Sequence, residues 1–275
     1  MIFIRQKRGI IALLVALSMS SLWLFRSYLF PQNMPKAGIA LSFDDRYIKE
    51  WHLLRPIFRK YNAHVTFYLT QPDSLSSEEW NMLSELSKDG HEIACHGAIH
   101  TQSIPFVWRN SIREYFEVEI FPALNTMKKH GFTPTTFAHP GGSQFWWLDQ
   151  KLYQYFNLLR DVSLKKRRLG NWVFERKIDE INEIYFKPNQ SKSVSALMID
   201  ISNELSEKEI VEVLKKAKNT QSVAMLFGHK PLFQTPQTGQ EYGFEVEFLT
   251  YILSESAKLG LKTYTMAELS QFNKP

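Results

Sequence analysis

The sequence predicts an α/β fold in which repeated βα units surround a parallel sheet or barrel. Three observations carry this. Short β-prone runs alternate with helical patterns from Ile39 onward, capping residues and glycines punctuate them, and polar residues of catalytic type follow several strand runs directly. The strand runs are Ile39–Phe43, His64–Leu69, Glu92–Cys95, Thr135–Ala138, Ala196–Ile199, Val223–Phe227 and Leu261–Tyr264. Between them apolar residues recur at three-to-four spacing near 48–60, 78–88, 111–129, 146–157, 206–218 and 244–259, the pattern of helices that bury one face. Ser206 with Glu209 makes a capping box, and Gly90, Gly131 and Gly260 stand where helices should stop. The stretch from 158 to 195 shows no clear period, and no internal repeat is visible.

Ahead of this domain, Arg5, Lys7 and Arg8 precede an uncharged run from Gly9 to Phe25. As a helix at ~1.5 Å per residue the run spans roughly 25 Å, slightly short of a hydrocarbon core. Arg26 can snorkel while Tyr28, Leu29 and Phe30 extend the apolar surface. The expectation is a signal anchor over residues 1–30, a linker over 31–38 and a catalytic domain over 39–275, with the domain on the periplasmic or extracellular side. A cleaved signal peptide is the competing reading, because Ala16-Leu17-Ser18 and Ser18-Met19-Ser20 offer small residues at the required spacing. Cleavage there would leave Leu22 to Phe25 on the mature surface.

Composition narrows the function classes. A chain of 275 residues that is 44% hydrophobic and 22% charged has a core and is not disordered. The net charge of +5 invites a nucleic-acid reading, but four of the 33 basic residues lie before residue 31, where no acidic residue occurs. That leaves 29 Lys and Arg against 28 Asp and Glu, which is no electrostatic footprint for nucleic acid. The basic run Lys165-Lys166-Arg167-Arg168 reads as a solvated surface segment. The single cysteine, Cys95, cannot form an intramolecular disulfide and reads as a small buried strand residue.

In parallel α/β folds active sites lie at the carboxyl ends of strands, so the residues after each strand run are the informative ones. Ile39–Phe43 leads into Asp44 and Asp45, Glu92–Cys95 into His96 and His100, Thr135–Ala138 into His139-Pro140-Gly141-Gly142, and Val223–Phe227 into Gly228-His229. Two imidazoles at i and i+4 share a face in a helix or turn, and with one aspartate they make three protein ligands for a catalytic metal. Successive side chains at a strand end diverge, so one of two adjacent aspartates can bind metal while the other faces the attacking water. Asp45 and Asp44 suit these roles. His139 reads as a supporting or loop residue. Trp108, Trp146 and Trp147 could stack on sugar rings or pack in the core.

These blocks resemble the polysaccharide deacetylases, carbohydrate esterase family 4, also called the NodB homology domain. The resemblance covers roughly residues 37 to 270 and rests on Leu41-Ser42-Phe43-Asp44-Asp45, His96-Gly97-Ala98-Ile99-His100, Phe137-Ala138-His139-Pro140-Gly141-Gly142 and Leu226-Phe227-Gly228-His229, in family order. It implies an incomplete (β/α) barrel of about seven strands. It also implies Asp44 as general base, His229 as general acid, and Asp45, His96 and His100 as ligands of one divalent metal, Zn2+ or else Co2+, Ni2+ or Mn2+. Pro140, Gly141 and Trp146 would contact substrate, with the Gly141 N–H facing the developing oxyanion. Two departures from the family pattern stand out: Ala138 replaces an arginine that tethers the base, and Gly141 replaces an aromatic residue. The family's wall tryptophan and acid-orienting aspartate have only Trp172 and Asp161 as candidates.

The expected function is therefore metal-dependent removal of an N-acetyl group from amino sugars of a cell-envelope or extracellular glycan, at the membrane and without nucleic acid. A deacylase or deformylase of a lipid-linked sugar is the alternative enzyme. A catalytically silent glycan-binding module is the alternative of another class, motivated by the missing arginine and the unplaced acid-orienting pair.

Overall fold

Seven consecutive residues of the first strand, Gly38 to Asp44, are buried, as expected of a parallel strand covered on both faces. In the computed structural model, which describes residues 34–189, 191–234 and 242–273, this strand is β1 (Gly38–Asp45). It is followed by β2 (Thr66–Leu69), β3 (Glu92–Cys95), β4 (Thr136–Ala138), β5 (Leu158–Ser163), the hairpin β6 (Lys166–Leu169) and β7 (Trp172–Glu175), β8 (Tyr185–Phe186), β9 (Ser193–Met198) and β10 (Val223–Gly228). Seven of these form a parallel ring in the order β1-β2-β3-β4-β5-β9-β10. The ring closes because β10 pairs back on β1 from Gly38↔Val223 to Phe43↔Gly228. The count of seven agrees with the expected barrel, but "incomplete" needs correction, since no gap remains between the last strand and the first.

One expected strand sits elsewhere. The segment read as Leu261–Tyr264 contributes β13 (Lys262–Tyr264), which follows β11 (Pro231–Leu232) and β12 (Phe244–Glu245) and pairs only with the start of β1. The ring member that replaces it is β5, whose Leu158-Leu159-Arg160-Asp161 sequence puts two charges in mid-strand and hides the apolar pattern.

Alternation along the ring strands sorts side chains into two cores. Phe43, Phe67, Phe137 and Leu226 point outward to the helices, where Phe43 stacks on Phe67 and Phe244 with ring centroids 5.7 and 5.1 Å apart. Truncating a ring such as Phe67 to alanine should cost about 3–5 kcal/mol. Ala40, Ala94, Ala138 and Ala196 point inward. These small residues leave the barrel interior room for two large side chains, Tyr68 and Arg160, both fully buried.

The helices fall within the expected periods, but 48–60 divides into Ile48–Leu53 and Arg55–Tyr61 and the helix expected over 146–157 ends at Leu152. The 111–129 pattern divides into Ile112–Tyr115, a π-helical turn over Phe116–Ile120 and a helix over Phe121–Lys129. Pro122 lacks the N–H needed to continue the regular ladder there. Ser103–Arg109 and Met266–Ser270 are helical without having shown a period. The capping box of Ser206 and Glu209 is formed.

The amino-terminal end of the barrel is plugged by the Met266–Ser270 helix. Its Ala267 N–H donates to half-buried Glu92 at 2.8 Å, and the same carboxylate accepts from Thr66 at 2.8 Å and Thr136 at 2.6 Å. A cavity of about 530 Å³ opens beside Glu92, Thr135 and Ala267, at the opposite end from the aspartate–histidine cluster. The expected anchor over 1–30 and the start of the linker lie outside the described residues. Among the described residues no helix is long and apolar enough to cross a membrane.

Candidate active site and metal centre

At the carboxyl end of the ring, β1 and β3 deliver three ligating groups to one point. Asp45, His96 and His100 offer atoms that all lie within 4.8 Å of one another. Asp45 Oδ1 is 3.3 Å from His100 Nε2 and 3.7 Å from His96 Nε2. Ligands held at ~2.1 Å in a tetrahedral arrangement sit about 3.4 Å apart, so the two distances from Asp45 match those around a divalent metal. The tautomer fits as well. His96 Nδ1 lies 2.9 Å from the Ala138 carbonyl, which can only accept, so Nδ1 carries the proton and Nε2 presents its lone pair to the site. Burial pushes the His96 pKa down to about 3, which keeps the imidazole neutral as ligation requires.

Two of the three ligands have left-handed backbone conformations, φ 82° at Asp45 and φ 59° at His100. Such positions cost on the order of 1–3 kcal/mol each and persist only where surrounding structure enforces them. Leu69 and Thr70 supply part of that enforcement. The His96 N–H bonds to the Leu69 carbonyl at 2.8 Å, and the Thr70 hydroxyl bonds to the Gly97 carbonyl at 3.2 Å.

Asp44 turns the other way, into the barrel, and is only 3% exposed. Burial raises its pKa, but the Arg160 guanidinium, with His96 and His229, outweighs this and holds it below the ordinary value, so the group is a carboxylate at neutral pH. Arg160 Nη2 donates to Asp44 Oδ2. Arg160 lies in β5 directly beside Ala138 in β4, so a guanidinium reaches Asp44 from the strand adjacent to position 138. It is fully buried and stacks over Phe227, 4.5 Å from the ring centroid, and over Tyr68 at 5.3 Å. Sequence reasoning missed Arg160 because β5 fell in the unreadable stretch; an arginine inside an apolar strand was the available signal.

His229 closes the site from the end of β10. Its backbone N–H donates to Asp200 Oδ1 at 3.1 Å, and its Nδ1 donates to Asp200 Oδ2. Trp51 Nε1 bonds the His229 carbonyl at 3.2 Å. Burial lowers the His229 pKa, but pairing with Asp200, and the charges of Asp44 and Asp45, raise it above its usual value. Asp200 was also missed, although it follows the Ala196–Ile199 run and so obeyed the strand-end rule applied elsewhere. Asp161 is not placed for this role: it accepts from its neighbour Val162 N–H at 2.7 Å. Trp172 is no wall of this cluster either, since it lies 74% exposed on the β6–β7 hairpin.

The remaining expected residues follow β4, in the turn after Ala138 and the helix beyond it. His139 is buried, with Nε2 3.2 Å from Asp149 Oδ1, in a contact that lacks hydrogen-bond geometry. Pro140 and Gly141 form a tight turn, with φ 60° at Gly141 and a Cβ there falling 2.5 Å from the Gln102 side chain. The left-handed φ favours Gly at 141, while the Gln102 side-chain end could move aside for a Cβ. Trp146 and Trp147 begin the next helix and are 67% and 68% exposed. The basic run is less solvated than expected: buried Lys165 pairs with Glu209 at 2.8 Å and Lys166 pairs with Glu204.

Comparison with known proteins agrees with this geometry. Residues 32–155 match the family model described as polysaccharide deacetylase. No curated protein matches the sequence. Among solved structures, the peptidoglycan deacetylase PdaC from Bacillus subtilis is similar at 18% identity and TM-score 0.51, over 88% of this chain and 93% of that one. The catalytic domain of a peptidoglycan N-acetylglucosamine deacetylase from Eubacterium rectale is similar at 16% identity and TM-score 0.51, over 84% and 89%. A family 4 carbohydrate esterase from Streptomyces lividans, in complex with acetate, is similar at 14% identity and TM-score 0.50, over 82% and 91%. The four motif blocks, the seven-stranded barrel they line and the family match over residues 32–155 agree in making the chain similar to the polysaccharide deacetylases.

Proposed function

We propose that this chain is a metal-dependent hydrolase that removes N-acetyl groups from the amino sugars of a cell-envelope or extracellular glycan. The observation that carries this is the convergence, at one barrel end, of a three-residue ligand set, an arginine-held carboxylate and an aspartate-paired histidine. Two imidazoles and one carboxylate suit Zn2+, and also Co2+, Ni2+ or Mn2+. Bound there, such a metal supplies Lewis acidity to the acyl carbonyl and to the attacking water.

The chain's own residues do the rest. Asp44, held ionised and aimed by Arg160, takes a proton from the water as its oxygen bonds to the acyl carbon. The Gly141 N–H stabilises the charge on the former carbonyl oxygen. His229, kept protonated by Asp200, gives its proton to the sugar nitrogen as the C–N bond breaks, releasing acetate and a free amine. Pro140 shapes the turn that presents Gly141, and exposed Trp146 offers a face for a sugar ring. The proteins named peptidoglycan deacetylases among the similar structures support an amino-sugar amide as substrate class. The N-terminal apolar run supports a membrane-attached domain on the outer side, on sequence grounds alone.

Arg160 and Asp200 remove the reason for reading the chain as a silent glycan-binding module, since both tethers have candidates. The test is acetate release from N-acetylglucosamine oligomers, with Zn2+ or Co2+ added and with chelator. Metal-dependent release is expected. No release from oligomers or intact peptidoglycan would sink this reading, and release of formate or a longer acid from a lipid-linked sugar would move it to the other enzyme class.

A further inference from the structure

The ligand loop from His96 to His100 is held on its far side by a residue with no part in the chemistry above. Glu119 is fully buried, and the π-helical turn over Phe116–Ile120 presents it to the loop. Its carbonyl accepts from the Ala98 N–H at 2.9 Å, and its carboxylate Oε2 accepts from the Ile99 N–H at 3.3 Å. Burial pushes the Glu119 pKa up, and the loop amides that face the carboxylate oppose this, the Ile99 N–H being the one within hydrogen-bond geometry. Successive amides around a left-handed residue, here His100, form an anion-binding concavity. In this chain the anion in that concavity is its own side chain.

Gly97 is the counterpart. A Cβ on it would sit 1.8 Å from Glu119 Oε1, so the carboxylate fills the space any other residue at 97 would need. Thr70 and Gln71 hold only the Gly97 carbonyl, at 3.2 Å each, and the half of the loop carrying His100 is held by Glu119, with the Tyr115 hydroxyl donating to the Thr101 carbonyl at 3.4 Å. We infer that Glu119 is a positioning residue for the metal centre, locking the Ala98–Thr101 backbone so that His100 stays in the ligating conformation. The inference rests on the metal reading above. A π-helical turn fits such a task, because π-turns re-aim one side chain within an otherwise regular helix.

The test uses Glu119→Gln, nearly isosteric, which removes the negative charge and replaces one of the two acceptor oxygens facing the loop with an NH2 group. Co2+ affinity would be measured by chelator competition on the full chain, beside thermal unfolding in chelator. The expected result is a Co2+ dissociation constant raised about 10- to 100-fold, the usual effect of losing a residue that orients a ligand. Turnover at saturating Co2+ should return toward the wild-type value. A folded Glu119→Gln protein with wild-type Co2+ affinity overturns the inference. So does a variant that stays unfolded with or without Co2+, since Glu119 would then be a general core residue; a fold lost in chelator and restored by Co2+ supports it. Wild-type protein that takes up no Co2+ would instead overturn the metal reading itself, and this inference with it.

Discussion

His229 and Asp200 show how one residue sets another's chemistry. An isolated histidine titrates near pH 6.5 and is mostly neutral at pH 7, which makes it a poor acid. The Asp200 carboxylate favours the imidazolium and raises the His229 pKa against the opposing effect of burial. If His229 must be protonated to release the amine, activity falls as pH rises through its folded-state pKa. Asp200→Asn removes the raising partner, so the alkaline limb of the kcat/KM profile should shift to lower pH than in the wild type. An alkaline limb left in place by Asp200→Asn would show that His229 is not the group being titrated. Asp200 was legible in principle, as the first charged residue after an expected strand. His96, His100 and Asp45 were legible in practice, because ligand spacing and strand ends coincide in the sequence itself.

Strand register explains what was not legible. The tether of Asp44 comes from β5, where Arg160 stands beside Ala138 of β4. Whether a guanidinium one strand over can reach the same carboxylate is a fact of pairing, invisible to any local pattern. The same charged pair, Arg160-Asp161, also broke the apolar signature that would have marked β5 as a strand. Arg160→Ala should lower kcat and destabilise the fold by about 3–5 kcal/mol, because it strands a buried carboxylate. Adding Ala138→Arg to that variant should recover part of both, since the new guanidinium starts from the neighbouring register position. Arg160→Ala with wild-type kcat would end the tether's claim to a role. The strands whose flanks carry turn signals and whose interiors are apolar, β1, β3 and β10, were readable almost to the residue. The 111–129 helix was readable in extent but not in its π-helical turn, because the effect of Pro122 on the ladder depends on how its neighbours pack.

The whole barrel divides its labour between its two ends. The amino-terminal end is closed by the Met266–Ser270 helix and satisfied hydrogen bonds to Glu92, whereas the carboxyl end gathers groups held in left-handed backbone and buried charge. That asymmetry is expected of a (β/α) barrel whose chemistry lies at the strand ends. Solved structures under 20% identical share this fold. In the proposed mechanism Asp44 and Asp45, adjacent and chemically identical, split the roles of base and ligand. The direct measurement is metal content after dialysis, beside acetate release, for the wild type, Asp44→Asn and Asp45→Asn, with folding checked separately. Asp44→Asn should keep its metal and lose about 10² to 10⁴ in rate, as removal of a general base does, while Asp45→Asn should lose metal and recover partly in excess Zn2+. Loss of metal from Asp44→Asn, with Asp45→Asn keeping both metal and activity, would contradict the account.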